Sequence, residues 1–232
     1  MRYAEIGLVF LVACVTLVVG WRLVGDDLLG RQAVVWVANV LMLVTVWIGL
    51  RVRGQTWEHL GLRRHWGGLR AAGRAVLQSI LVLVLALAAF ITGSVVMRNV
   101  VTATTTADMS GYEYLQGNLP MLLLALAAVY VVSSFGEEVL YRGFLITRLT
   151  EIGGAGKAAG GLAVVTSAVV FGLAHFDWGL VGIVQTTFMG LVLAIAYVVT
   201  KRNLWVLILA HAYIDTLLLV QMYLGGASGG AQ

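Results

Sequence analysis

The sequence predicts an all-α protein: a polytopic transmembrane helix bundle of about seven spanning helices, with room for one short interfacial helix besides. Three observations lead there. Hydrophobic residues make up 60% of the chain and charged residues only 11%, whereas a soluble domain carries about a quarter charged residues. No soluble core of 232 residues hides that much apolar surface, so the bilayer is its natural solvent. The apolar residues come in runs close to the roughly 20 residues that a spanning helix needs. Two of these runs, Ala75 to Met97 and Trp178 to Thr200, contain no charge. None alternates in hydrophobicity as a barrel strand does.

Taken in order, the spans fall at about 4–24, 33–50, 76–97, 121–145, 160–176, 179–200 and 204–224. The first resembles a signal peptide, and Leu11-Val12-Ala13-Cys14 resembles a lipoprotein cleavage box. The apolar run continues past Cys14 through Val15, Leu17, Val18 and Val19, so it reads as an uncleaved helix. With Cys14 as the single cysteine, an intrachain disulfide and a cysteine-based zinc site are both excluded.

Orientation follows the basic residues. Arg51, Arg53, Arg63, Arg64, Arg70 and Arg74 crowd the connection after the second span, which places it in the cytoplasm. Threading from there puts Arg2, Arg148, Lys157, Lys201 and Arg202 inside, and Asp26, Asp27, Asp108, Glu113 and Asp177 outside. The N-terminus is then cytoplasmic and the C-terminus external, in the cytoplasmic membrane of a prokaryote. The formal charge of +4 therefore reports topology, not nucleic-acid binding. Residues Trp57 to Arg74 are the stretch that suits an interfacial helix. The glycines at 153, 154, 156, 160 and 161 make a flexible connection. The chain reads as one integral membrane domain, 1–232, with core helices over 119–224 and a flexible tail over 225–232.

Ionisable residues inside a membrane are costly and mark function by default. Three clusters qualify: FGEEVLYRGF, with Glu137, Glu138 and Arg142; FGLAHF, with Phe171 and His175; and HAYID, with His211 and Asp215. Glu138 and Arg142 are an i, i+4 pair able to neutralise each other. That leaves Glu137 unexplained, about 100° round the helix. His211 and Asp215 are again i, i+4. Acids and histidines on three helices can meet only in the bundle interior, where a carboxylate and a histidine activate water and other polar groups stabilise an oxyanion.

EExxxR, then FxxxH, then HxxxN or HxxxD on successive membrane helices resembles the CAAX-protease and bacteriocin-processing (CPBP, or Abi) family. The resemblance spans residues 137 to 215. It implies an intramembrane glutamic endopeptidase that needs no cofactor or metal and acts on a membrane-associated protein or peptide. By the same resemblance Glu137 is the general base, His175 helps hold the water, His211 and Asp215 form the oxyanion side, and Glu138 and Arg142 position the others. The prenyl-protein proteases of the family carry Asn where this chain has Asp215. An ionised Asp only accepts hydrogen bonds. Asp215 therefore either holds a proton and donates, the role that Asn favours, or orients His211.

Two other functions fit the residues. One is a zinc peptidase, since Glu and His are zinc ligands, although no HExxH is present. The other is a non-catalytic membrane protein: a bacteriocin-immunity factor, scaffold or chaperone. Depth poses a further question. At about 1.5 Å per residue, His211 lies roughly 10 Å from the inner helix end and His175 roughly 22 Å. Convergence demands tilt, a late-starting helix or a shifted boundary near Gly153 to Gly161.

Overall fold

The computed structural model describes residues 2–63, 68–100, 107–154 and 156–225. Every regular element in them is helical. Seven long helices run in order: α1 (Arg2–Val24), α2 (Leu28–Val52), α3 (Leu69–Val100), α4 (Leu119–Gly153), α5 (Lys157–Leu173), α6 (Gly179–Val199) and α7 (Leu204–Tyr223). All but α5 are long and apolar enough to cross a membrane. At 17 residues, α5 covers about 25 Å and stops just short of His175. The helices overrun the apolar segments where charge can sit outside lipid: α3 has 32 residues, about 48 Å, and so carries Arg70, Arg74 and Arg98 near its ends.

The bundle has one basic end. There Arg2 pairs with Glu151 at 2.9 Å, and Arg148 pairs with Glu5 and with Glu151, each at 2.9 Å. Arg53 also contacts Glu5. Arg148 is almost fully buried among these partners and Gln55. At the opposite end Trp21 meets Phe176, and the backbone of Gly117 donates to Tyr223. Successive helices therefore alternate in direction, and the described chain starts at the basic end and finishes at the other.

The core is organised round α4. Every residue from 138 to 148 is buried, because α2, α5, α6 and α7 all pack on this stretch. Its middle, Tyr130–Leu145, is wound as a π-helix, a wider form that is rare and gathers at functional sites. One apolar cluster fills the basic half of the bundle, including Val46, Leu50, Val139, Phe144 and Leu207. A second, smaller one joins Leu115, Leu122, Ala125, Leu219 and Met222 at the far end.

The expected interfacial helix is not formed as expected. Trp57–Leu60 makes a single 3₁₀ turn, residues 64–67 lie outside the described residues, and Leu69 already begins α3. Leu60 does not lie on lipid; it is fully buried, and its carbonyl accepts the Tyr197 hydroxyl at 2.9 Å. This stretch is a plug beneath α6 and α7. Arg202 reaches the His59 carbonyl at 3.2 Å, and the Leu204 N–H donates to the Gly61 carbonyl at 3.2 Å.

The plug settles the question of depth. A Cβ built at Gly143 would lie 3.2 Å from both Leu204 and the Leu60 carbonyl, so α7 begins level with Gly143, well inside the end of α4. The helix starts late, and its first eight residues, Leu204 to His211, reach Glu138. Of the expected flexible connection at Gly153 to Gly161, Gly153 ends α4, Gly160 and Gly161 already lie in α5, and Ala155 lies outside the described residues, as do residues 226–232 of the expected tail.

Gly61 has φ of 92°, and a Cβ there would lie 2.1 Å from the Arg202 carbonyl oxygen. Gly61→Ala is therefore expected to lower stability by about 1–3 kcal/mol, read as thermal unfolding in detergent. Unchanged stability would mean that the plug does not hold the start of α7.

Candidate active site

The sequence places Glu137 and Glu138 on the π-wound part of α4, and the structure sets both carboxylates against one imidazole. Glu138 Oε1 is 2.8 Å from His211 Nδ1, while Glu137 Oε2 is 3.9 Å from His211 Nε2. Asp215 Oδ1 lies 3.7 Å from the same Nε2. The wider winding brings neighbours in sequence to the two edges of one ring.

Glu138 Oε1 also accepts from Arg142 Nη1 at 2.8 Å. Both side chains are completely buried. Arg142 Nη2 reaches the Gly190 carbonyl at 3.3 Å, and the guanidinium lies 4.1 Å from the Phe171 ring centroid. A cation over an aromatic face is worth more when water is excluded. Glu138 is thus the common partner of Arg142 and His211. Of the two carboxylates considered as partners of His211, Glu138 is the nearer, at 2.8 Å against 3.7 Å for Asp215.

His175 joins through Phe171. Its Nδ1 is 2.8 Å from the Phe171 carbonyl, and its ring centroid is 4.8 Å from that of Phe171. The His211 ring is 6.0 Å from the other edge of Phe171. Among the described residues no hydrogen bond or ion pair links His175 to Glu137, His211 or Asp215. Both tautomers follow from their partners. A carbonyl and a carboxylate only accept, so each Nδ1 carries the hydrogen and each Nε2 is left for the cleft.

Asp215 accepts the Ser134 hydroxyl at Oδ2, at 2.7 Å. Ser134 is fully buried and escaped the sequence reading. The signal was present: Ser133 and Ser134 stand four residues before Glu137 and Glu138, so the polar face begins one turn earlier. Trp178 was missed as well; its ring lies 4.8 Å from His175. Glu137, His175 and Asp215 remain partly accessible, while Glu138 and Arg142 form the closed floor beneath them.

The donor set bears on the zinc reading. His211 Nδ1 is committed to Glu138, and among the described residues no three His, Cys, Asp or Glu side chains are grouped to hold a metal.

Breaking a buried ion pair by removing one partner costs about 3–5 kcal/mol. Arg142→Ala is expected to lose that much thermal stability in detergent. Arg142→Lys should recover only part, since an ammonium cannot span Glu138 and Gly190 as a fork. An Arg142→Ala protein as stable as wild type would make the pair peripheral.

No curated protein and no solved structure matches the chain. A protein-family model does: that of the Rce1-like type II CAAX prenyl endopeptidases, over residues 119–217. The matched stretch takes in α4, α5, α6 and most of α7, the helices that carry all three motifs. Over this stretch the chain is similar to the Rce1-like type II CAAX prenyl endopeptidases.

Proposed function

We propose that the protein is an intramembrane glutamic endopeptidase in which Glu137 is the general base. The observation that carries this reading is the unpartnered Glu137 Oε2. It is buried without a hydrogen bond and faces His211 Nε2 at 3.9 Å. A polar gap of that width, too long for a direct bond, suits one bridging water. A buried carboxylate oxygen requires such a partner.

In the proposed reaction the water oxygen bonds to the scissile carbonyl carbon while Glu137 takes its proton. His175 Nε2 accepts the water's other hydrogen and holds it in line. The negative charge gathers on the former carbonyl oxygen, on the side of His211 and Asp215. When the C–N bond breaks, Glu137 returns its proton to the leaving amine. Glu138 and Arg142 touch no substrate; they hold the His211 ring.

The substrate is a membrane-associated protein or peptide, in keeping with the family. By the distribution of basic residues, the plug and the basic end lie in the cytoplasm of a prokaryotic cell.

Glu137→Gln keeps the shape of the side chain but cannot take a proton. It is expected to abolish turnover, by at least ~10³-fold, while folding normally. The substrate is found by comparing peptides in membranes of cells carrying wild type and Glu137→Gln, and the rate is measured on that precursor in proteoliposomes. A Glu137→Gln protein that still cleaves removes Glu137 from the mechanism. Identical peptide profiles would instead favour the non-catalytic reading.

A further inference from the structure

Hydroxyls on the membrane helices share a habit from which Ser134 departs. Thr16, Thr45, Thr92 and Thr150 each give their hydrogen to the carbonyl four residues back, the usual way a helical hydroxyl is satisfied within its own helix. Ser134, fully buried on α4, instead donates across to α7, to Asp215 Oδ2 at 2.7 Å. The reaction proposed above gives this hydroxyl no part. A hydroxyl given to a carboxylate makes a short, charge-assisted bond, and this one takes up one of the two Asp215 oxygens. The other, Oδ1, lies 3.7 Å from His211 Nε2.

The contact is one of three rungs along the seam between α4 and α7. One turn toward the far end, the Tyr130 and Thr216 hydroxyls meet at 2.8 Å. One turn toward the basic end, Glu138 Oε1 meets His211 Nδ1 at 2.8 Å. The outer rungs hold the two helices in register, which leaves the middle one to set how the Asp215 carboxylate is turned. That last torsion of an aspartate is soft, so without a partner the group swings.

The turn of Asp215 matters to His211. The His211 ring has carboxylate oxygens of Glu138, Glu137 and Asp215 at 2.8, 3.9 and 3.7 Å. Arg142 offsets only Glu138, and the field of the other two draws a second hydrogen to Nε2. Both of those oxygens lie beyond hydrogen-bond reach of Nε2. The Nε2–H is therefore spent on neither and is free for an oxyanion.

We propose that Ser134 is a positioning residue: its hydroxyl holds Asp215 by Oδ2 and so keeps Oδ1 turned to His211 Nε2, where the hydrogen for the oxyanion sits. This rests on the endopeptidase reading above. No bond to Ser134 forms or breaks in the reaction, and its proton stays in place. It acts through Asp215, and Asp215 acts through the charge it sets beside Nε2.

The test has two arms. One measures initial rates on the precursor identified from the Glu137→Gln comparison, with reconstituted wild type, Ser134→Ala, Asp215→Ala and the double variant. The other records ¹⁵N spectra of the histidine-labelled proteins in nanodiscs. Ser134→Ala is expected to lose ~10–10²-fold in kcat, the scale of a small misplacement at a reacting site, with KM and thermal stability nearly unchanged. In the Asp215→Ala background the same change should cost almost nothing, because residues that act through one another are not additive. In the spectra, Ser134→Ala should shift His211 Nε2 and leave the Nδ1 hydrogen held by Glu138 in place. A serine that merely packs would cost the same in both backgrounds and leave Nε2 unmoved. Wild-type kcat in Ser134→Ala, an equal loss in the Asp215→Ala background, or an unmoved Nε2 signal would overturn the proposal. Where Asp215→Ala has no measurable rate, the spectrum decides. The spectra need no turnover, so they test Ser134 separately; cleavage by Glu137→Gln would instead overturn the endopeptidase reading.

Discussion

One carboxylate oxygen ties the site together. Glu138 Oε1 is 2.8 Å from Arg142 and 2.8 Å from His211, in a place with no access to solvent. Alone, a carboxylate buried there would be costly. Beneath Arg142 it is kept as an acceptor, and that acceptor sets the His211 tautomer. Arg142 is itself supported by the Phe171 ring and the Gly190 carbonyl, so α4, α5, α6 and α7 all depend on the same contact. Buried ion pairs are weak evidence of stability in general. Here the pair's consequence is geometric: it aims one ring nitrogen at the cleft.

The other constraint is depth. Histidines counted from their helix ends fall at different levels, and the fold resolves this by starting α7 inside the bundle. The residues 57–63 close the space left beneath it. Glu5, Arg53, Arg148 and Glu151 then fasten the first two helices to the end of α4. The polar layer consequently lies between two apolar clusters, where low polarity strengthens each of its interactions.

Much of this is legible in the sequence. Long uncharged runs give the helices because the bilayer permits little else, and the basic residues mark one end because they avoid its core. The three motifs mark the helices that meet. Other features depend on packing that spacing cannot convey. A carbonyl such as that of Gly190 carries no side-chain signature. The partner of His211 at Nδ1 is Glu138, on another helix, and not Asp215 one turn away. The plug at Trp57–Leu60 reads as lipid-facing because Trp and Leu suit either environment.

The direct measurement is ¹⁵N NMR of histidine-labelled protein in nanodiscs, with the His211 signals assigned by their loss in a His211→Gln variant. The account predicts a hydrogen on Nδ1 of His211, sheltered from exchange, that is lost or shifted in Glu138→Gln. A His211 whose Nδ1 is unprotonated, or whose signals ignore Glu138→Gln, would contradict the arrangement on which the site depends.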